Sequence, residues 1–370
     1  MKITGFDIRA IAIPLEQKVK WANISETANE MLMLRIETDS GVFGLAQKKV
    51  HSVWTGMSRD MVALDLRDVY QPMLAGIDPL RSERVWAQIN RIGGWSPTKT
   101  MLDIALHDLR ARAAGLPVWK YLGGWSDTVD VHGFIARGSI PERLEKMTRQ
   151  IESFGFGGFK IKIGTDESGD CEFLKEVRRE FGDDLVMRVD ANSGYTMDEA
   201  IRVSRRLADL GVQDFEDPCP LLGRNVRQTL YRSSPVPIVV DHVINGIEAA
   251  RTVLEEGALR LALKVSRLGY RQSLEIMAEC RKFGAKVVAG SLTECSLGAL
   301  GALHFHAAHE DFAWCGAEDS YFATLSDDVT DIPEIRDGKV CLGDTPGLCT
   351  DWNPEKLEQY AVPLTGFGNA

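Results

Sequence analysis

The sequence predicts an α/β protein, a parallel (β/α) barrel joined to an α+β domain at its N-terminus, and three observations lead there. Beyond about residue 126, short apolar runs alternate with amphipathic helical stretches, and eight such runs start roughly every 26 residues, the length of one strand, one helix and two loops. The first 60 residues instead read as strands joined by polar loops. The 370 residues, 44% apolar and 26% charged, suffice for two domains or for one large barrel with an appendage.

Along the chain, Ile3 to Pro14 and Met31 to Thr38 are β-rich, the turn Asp39-Ser40-Gly41 follows, and Val42 to Ala46 resumes, which predicts a small antiparallel sheet. From Ser58 to Gly115 the pattern is helical: Leu102, Ala105, Leu106 and Leu109 fall at helix spacing, and Gly115-Leu116-Pro117 stops the run. Tyr121-Leu122-Gly123-Gly124 reads as a boundary loop. The barrel strands are expected at residues 129–135, 158–163, 185–190, 212–216, 238–241, 261–265, 286–289 and 312–315. An open doubly wound sheet shares this rhythm, but no G-x-G-x-x-G opens a helix after a first strand. In the tail, Asp337-Gly338 signals a hairpin and Thr345-Pro346-Gly347-Leu348 a rigid loop, so this segment is expected to leave the barrel and pack back on the N-terminal domain. The expected division is 1–125 for the cap, 126–331 for the barrel and 332–370 for the returning segment.

Composition removes several classes of function. With 43 basic and 53 acidic side chains the net charge is −10, and no dense Lys/Arg tract exists, so phosphate-backbone binding lacks its clustered cations. Seven Cys, at 171, 219, 280, 295, 315, 341 and 349, form an odd set without C-x-x-C, which reads as reduced thiols in a cytoplasmic protein. The N-terminus places Asp7 and Arg9 where a signal peptide needs an unbroken apolar run, and no apolar stretch approaches the ~20 residues that span a bilayer. No nucleic-acid or membrane partner is expected.

Barrel chemistry is done at the carboxyl ends of the strands. There the sequence has Lys160-Ile161-Lys162, Asp190-Ala191-Asn192, Glu216-Asp217-Pro218, Asp241-His242 and Lys264-Val265-Ser266. Three consecutive strands thus each deliver a carboxylate, and their spacings of 26 and 25 residues predict equal depth. Three converging carboxylates repel one another unless a cation sits among them, and all-oxygen ligation with open positions suits Mg²⁺. The plainer alternative is that each acid caps the helix that follows it. Lys160 and Lys162, two apart, share one side of their strand, and Lys264 ends the strand across the carboxylates. A proton could leave one face of a bound carbon and return to the other; alternatively these lysines simply pair with the acids.

At these residues the chain resembles the enolase superfamily, and within it the mandelate racemase and muconate-lactonizing-enzyme subgroup. The resemblance is carried by K-x-K (Lys160, Lys162), D-A-N (Asp190, Asn192), F-E-D-P (Glu216), Asp241 and L-K-V-S-R-L-G (Lys264), with Asp103-Ile-Ala-Leu-His-Asp108 before the barrel and Pro346-Gly-Leu348 after it. It implies a (β/α)7β-type barrel under an α+β cap completed by the C-terminal segment. It further implies one Mg²⁺ per subunit on Asp190, Glu216 and Asp241, and a small-molecule carboxylate substrate. Lys162 is then the base on one face, Lys264 the acid or base on the other, and Lys160 the electrophilic helper, a pairing of lysine and metal known for this superfamily. A homo-oligomer of two to eight subunits goes with the same resemblance.

The outcome implied first is racemisation or epimerisation, or dehydration where a β leaving group is present, of an amino-acid-derived acid such as a proline analogue. Muconate-type cycloisomerisation is the alternative, and a catalytically silent ligand-binding barrel lies in another class. Several positions depart from the subgroup. His242 follows Asp241 where Glu is common, Asp217 follows Glu216 where Gln is common, and Gln47 ends a Gly-Leu-Ala-Gln run where Gly-x-Gly-Glu is frequent. Ser291-Leu-Thr-Glu294 resembles the muconate type, with Glu294 toward the ligand, whereas Ala317-Glu318-Asp319 only partly matches the Asp-x-Asp that holds an amine in dipeptide epimerases. By the same resemblance the loops Glu16–Ser25 and Lys48–Gly56 close over the barrel. Substrate contacts are therefore expected from Lys20, Trp21, Trp54, Asn192, Glu294 and Glu318. His304, His306 and His309 invite a metal reading, but 304 and 306 lie on different helix faces and read as packing, and Cys295 has no activating partner placed by sequence.

Overall fold

The computed structural model describes residues 1–21, 24–318, 320–325 and 327–367, with the side chains of residues 16–21, 24–25, 54 and 324 outside that description. In the cap, β1 (Ile3–Trp21) pairs antiparallel with β2 (Ile24–Thr38), which pairs antiparallel with β3 (Gly44–Lys48). The expected loop at 16–25 is therefore a continuation of both strands, with pairs such as Val19 with Glu26 after a register irregularity beyond Pro14. A two-stranded ribbon is held by backbone bonds and needs no apolar alternation, so the residue pattern did not announce it.

The helix Pro97–Ala113, started by Ser96 accepting from the Lys99 amide, joins the cap to the barrel. Gly44 allows the contact, because a Cβ there would stand 2.0 Å from the Ala105 carbonyl. Two buried acids on this helix do the joining. Asp108 accepts from the Leu45 amide at 2.7 Å and the Leu348 amide at 2.6 Å, while Asp103 accepts from Tyr270 and Arg271 at 2.5 and 3.0 Å. The family-like Asp103…Asp108 run thus fastens the third cap strand β3, the barrel and the returning tail to one helix.

The expected strand at 129–135 is two strands. β4 (Thr128–Asp130) pairs antiparallel outside the barrel, and β5 (Gly133–Ile135) enters it. The parallel sheet then runs β6 (Gly158–Lys162), β7 (Val186–Asp190), β8 (Asp214–Glu216), β9 (Ile238–Val240), β10 (Arg260–Leu263) and β11 (Lys286–Ala289), each beside its neighbour in sequence. Residues 312–315 do not form an eighth strand: a short 3₁₀ turn, Glu310–Phe312, leads to a single bridge between Ala317 and Val131. An apolar run of four residues fits either conformation, and periodicity cannot separate them.

The hairpin β12 (Ile335–Arg336) and β13 (Lys339–Cys341) turns at Asp337-Gly338 as expected, but it pairs with β4 at the barrel rather than with the cap. It is the stretch after it that returns to the cap: Gly347 bonds Leu116 and Val118, and Val362 donates to Ala10. No helix among the described residues is long and apolar enough to cross a membrane.

Candidate active site

Parallel pairing sets the level of each side chain. Lys162 lies opposite Asp190 and Asp190 opposite Glu216, while one layer below Lys160 lies opposite Arg188 and Arg188 opposite Asp214. Because side chains alternate faces, these six all point to one side of the sheet, into the barrel. Glu216 lies opposite Val239, so Asp241 stands two residues further up than a level arrangement requires. Equal sequence spacing therefore did not give equal depth, since helices and loops absorb the register difference.

The carboxylates are almost wholly enclosed, at 1% exposure for Asp190 and Glu216 and 4% for Asp241. The lysines pair with them. The Lys160 ammonium lies 2.7 Å from Glu216, 2.8 Å from Glu318 and 3.3 Å from Asp190. Lys162 bonds Asp190 and donates to Asn192 Oδ1 at 2.8 Å, and Lys264 donates to Asp241 at 2.7 Å. The lysines pair with the acids, Lys162 at one side of the row and Lys264 at the other. Asn192, at φ 45°, turns the chain so that its amide donates to Asp190 Oδ1 at 2.7 Å.

The electrostatics follow from burial against charge. Burial works against the charge of Lys160, but Glu216, Glu318, Asp190 and Asp241 together raise its pKa well above the ordinary value. Glu216 is pushed well up by burial and by Asp190, Glu318 and Asp241 against the pull of Lys160. Asp190 and Asp241 are held low despite burial, the first by Lys162 and Lys160, the second by Arg267, Lys264 and Lys160.

The remaining expected contacts divide. Glu294 is buried, its Oε2 accepting from Ser291 Oγ at 2.8 Å and the Leu292 amide at 2.9 Å, and its Oε1 has no hydrogen-bond partner among the described residues. Glu318 is buried as well. It lies in the barrel interior between Lys160 and Arg188, whose guanidinium is 3.4 Å away. Lys20 and Trp21 belong to β1 and Trp54 to the turn Ser52–Thr55, but their side chains lie outside the described residues. His242 is exposed, its amide held by Asp217 at 2.8 Å. His304 and His306 lie on the buried helix Ser296–Ala308, where burial pushes both down to about 3 and His304 Nδ1 accepts from the Trp119 amide. Burial likewise raises the Cys295 thiol far above its ordinary range.

Three features escaped the sequence reading. Arg267 binds Asp241 through its carbonyl at 2.9 Å and its carboxylate at 3.2 Å; it stands inside the L-K-V-S-R-L-G run, which was the available signal. Phe134 and Tyr321 stack obliquely at 4.9 Å, with the Phe134 ring 5.8 Å from the Lys162 ammonium. Lys48 is buried where β3 meets the barrel, donating to the Ser266 carbonyl, and burial pushes it down to about 8. No sequence pattern distinguished it from a solvated lysine.

Among the described residues no three acidic, His or Cys side chains stand close enough together to grip an ion, because ammonium groups lie between the acids. The donors nevertheless suit a hard divalent cation. They are acceptor-only carboxylates from three successive strands, and two of them, Asp190 and Glu216, already converge on one positive charge, that of Lys160.

Comparison with known proteins finds matches over nearly the whole chain. Residues 142–356 match the family described as enolase C-terminal domain-like, and residues 6–123 match the mandelate racemase / muconate lactonizing enzyme N-terminal domain. The L-Ala-D/L-Glu epimerase of Bacillus subtilis (strain 168) is 28% identical over 316 residues, 83% of this chain and 86% of that one. Muconate cycloisomerase 1 of Rhodococcus opacus is 26% identical over 368 residues, 97% of this chain and 98% of its own. Among solved structures, muconate lactonizing enzyme from Mycobacterium smegmatis in complex with muconolactone superposes with a TM-score of 0.92 at 25% identity, covering 98% of this chain and 100% of that one.

Proposed function

The chain belongs to the enolase-like family of mandelate racemase and muconate lactonizing enzyme, as an enzyme of the racemase, epimerase or cycloisomerase kind, and from that premise we propose that it removes the proton α to a substrate carboxylate. One observation carries the reading. Across five neighbouring strands the mouth presents Lys162, Asp190, Glu216, Asp241 and Lys264 in that order, an amine on each flank of a row of acids. Asp190, Glu216 and Asp241 are the residues that would hold Mg²⁺. When bound, Mg²⁺ supplies the positive charge that makes the proton beside a substrate carboxylate acidic enough to leave.

The chain's own residues do the rest. Lys162 takes the proton on one face and Lys264 returns one on the other, or the reverse for the opposite enantiomer. Lys160, held charged by its carboxylates, is a fixed cation toward the negative charge that develops on the substrate. Placing bases on both faces favours racemisation or epimerisation of an amino-acid-derived acid such as a proline analogue, with dehydration where a β leaving group is present. Muconate-type cycloisomerisation is the second reading, favoured by Glu294, whose buried Oε1 has no hydrogen-bond partner among the described residues.

Incubation with Mg²⁺ and a panel of N-substituted amino acids and muconate in D₂O, followed by NMR, separates these. Exchange of the α-proton with inversion is the expected result. Lactone formation without inversion would move the assignment to cycloisomerisation, and no exchange with any acid would leave a ligand-binding barrel.

A further inference from the structure

Below the mouth, ion pairs continue into the barrel. Glu318 Oε1 is 2.8 Å from the Lys160 ammonium and 3.4 Å from Arg188 Nη2; Arg188 Nε lies 3.3 Å from Asp214, and Asp214 lies 3.2 Å from Arg260. Arg188 also donates to the Gly316 carbonyl at 3.2 Å, which holds it beside the residues leading to Glu318. Lys160, Glu318, Arg188 and Asp214 are all buried, so none of these charges is balanced by bulk water.

We propose that Glu318 is a positioning residue for Lys160, keeping its ammonium in place when Asp190 and Glu216 turn to a divalent cation. The inference rests on the metal reading above. An ammonium has three N–H donors, and here three carboxylates lie within 3.3 Å of it. Two of those three are the residues that would hold the metal. Once they turn to it, Lys160 keeps one carboxylate within bonding distance, that of Glu318. Without Glu318, Lys160 stays bound to Asp190 and Glu216 and competes with the metal for them. Arg188 in turn holds Glu318, its Nη2 3.4 Å from the same oxygen.

Titration of the full-length chain with Mn²⁺, read as loss of the free-ion electron paramagnetic resonance signal, tests this without turnover. Glu318→Gln is isosteric and should bind Mn²⁺ about 10-fold or more weakly, the range expected for partners of metal ligands. Glu318→Asp, which keeps the charge, should stay within about threefold of wild type. Lys160→Met should bind at least as tightly as wild type, and adding Glu318→Gln to it should change little, because the competitor is gone. A merely structural role for Glu318 would instead carry the same loss into the Lys160→Met background. Additive losses, or Mn²⁺ binding by Glu318→Gln equal to wild type, overturn the proposal while leaving the metal reading intact. Failure of the wild-type chain to bind Mn²⁺ overturns the metal reading and this inference with it.

Discussion

The two flanks of the mouth carry the same pair, a lysine on an aspartate, yet they are built differently. On the Lys162 side the aspartate is shared: Asp190 serves Lys162, Lys160 and the Asn192 amides, and an aromatic ring lies 5.8 Å from the ammonium. On the Lys264 side, Asp241 is clamped by Arg267, itself anchored on the Asp241 and Ile244 carbonyls, and the lysine stem is packed against Gly290. One amine is placed by a hydrogen-bond network and the other by steric confinement. Each flank should therefore fail in its own way.

The largest effect comes from removing either amine. Lys162→Ala and Lys264→Ala should each lower turnover by about 10³-fold or more, since a positioned proton-transfer group contributes about 10²–10⁴-fold. Mn²⁺ affinity should not fall in either, since each lysine pairs with an acid that would hold the metal. The comparison sharpens in D₂O: each variant should still exchange the α-proton of one enantiomer, the one whose proton faces the remaining lysine, while losing inversion. If both variants exchange the same enantiomer, the two flanks do not face opposite sides of the substrate.

Next comes Gly290→Ala. A Cβ at Gly290 would stand 2.9 Å from Lys264 Cγ and 3.0 Å from its Cε, so the lysine must move. Misplacement of a base by about 1 Å can cost about 10²-fold, so kcat should fall by that order while exchange on the Lys162 face persists. Steady-state kinetics with the enantiomer-resolved exchange assay checks this. Loss of exchange on both faces would show that the flanks are coupled.

How far these flanks could be read from sequence depends on what each contact is made of. The motif residues of the mouth were legible because strand ends carry them at regular intervals, and the (β/α) rhythm that places them is itself a pattern of apolar runs. The depth of Asp241 was not, since register is fixed by backbone pairing that spacing does not record. Likewise the ion pair that Glu318 makes with Arg188 had no signal in the sequence, since Arg188 lies more than a hundred residues away and has no motif of its own. β1 and β2 continued past the expected loop because a ribbon closes its hydrogen bonds without an apolar pattern. Residues 312–315 failed as a strand for the opposite reason: the run is apolar, but the neighbouring bridge, Ala317 with Val131, falls beyond it.

The smallest effect belongs to the Lys162 flank and separates backbone from side chain there. Asn192 sits at φ 45°, a left-handed conformation that Asn and Gly tolerate best, and its Oδ1 accepts from Lys162 at 2.8 Å while its amide groups bond Asp190. Asn192→Gly keeps the turn and the backbone amide but removes the acceptor, whereas Asn192→Ala also strains the turn. A lost hydrogen bond to a charged group is worth about 1.5–3 kcal/mol, and exposure at the mouth argues for the lower end, so kcat should fall about 10-fold in Asn192→Gly. Asn192→Ala should show the same kcat and an additional fall in melting temperature. The Lys264 flank, which has no Asn192 equivalent, should keep its face-specific exchange at the wild-type rate in both variants. Equal loss on the two faces would mean that Asn192 acts on the shared Asp190 rather than on Lys162, and the distinction between a networked and a confined lysine would collapse.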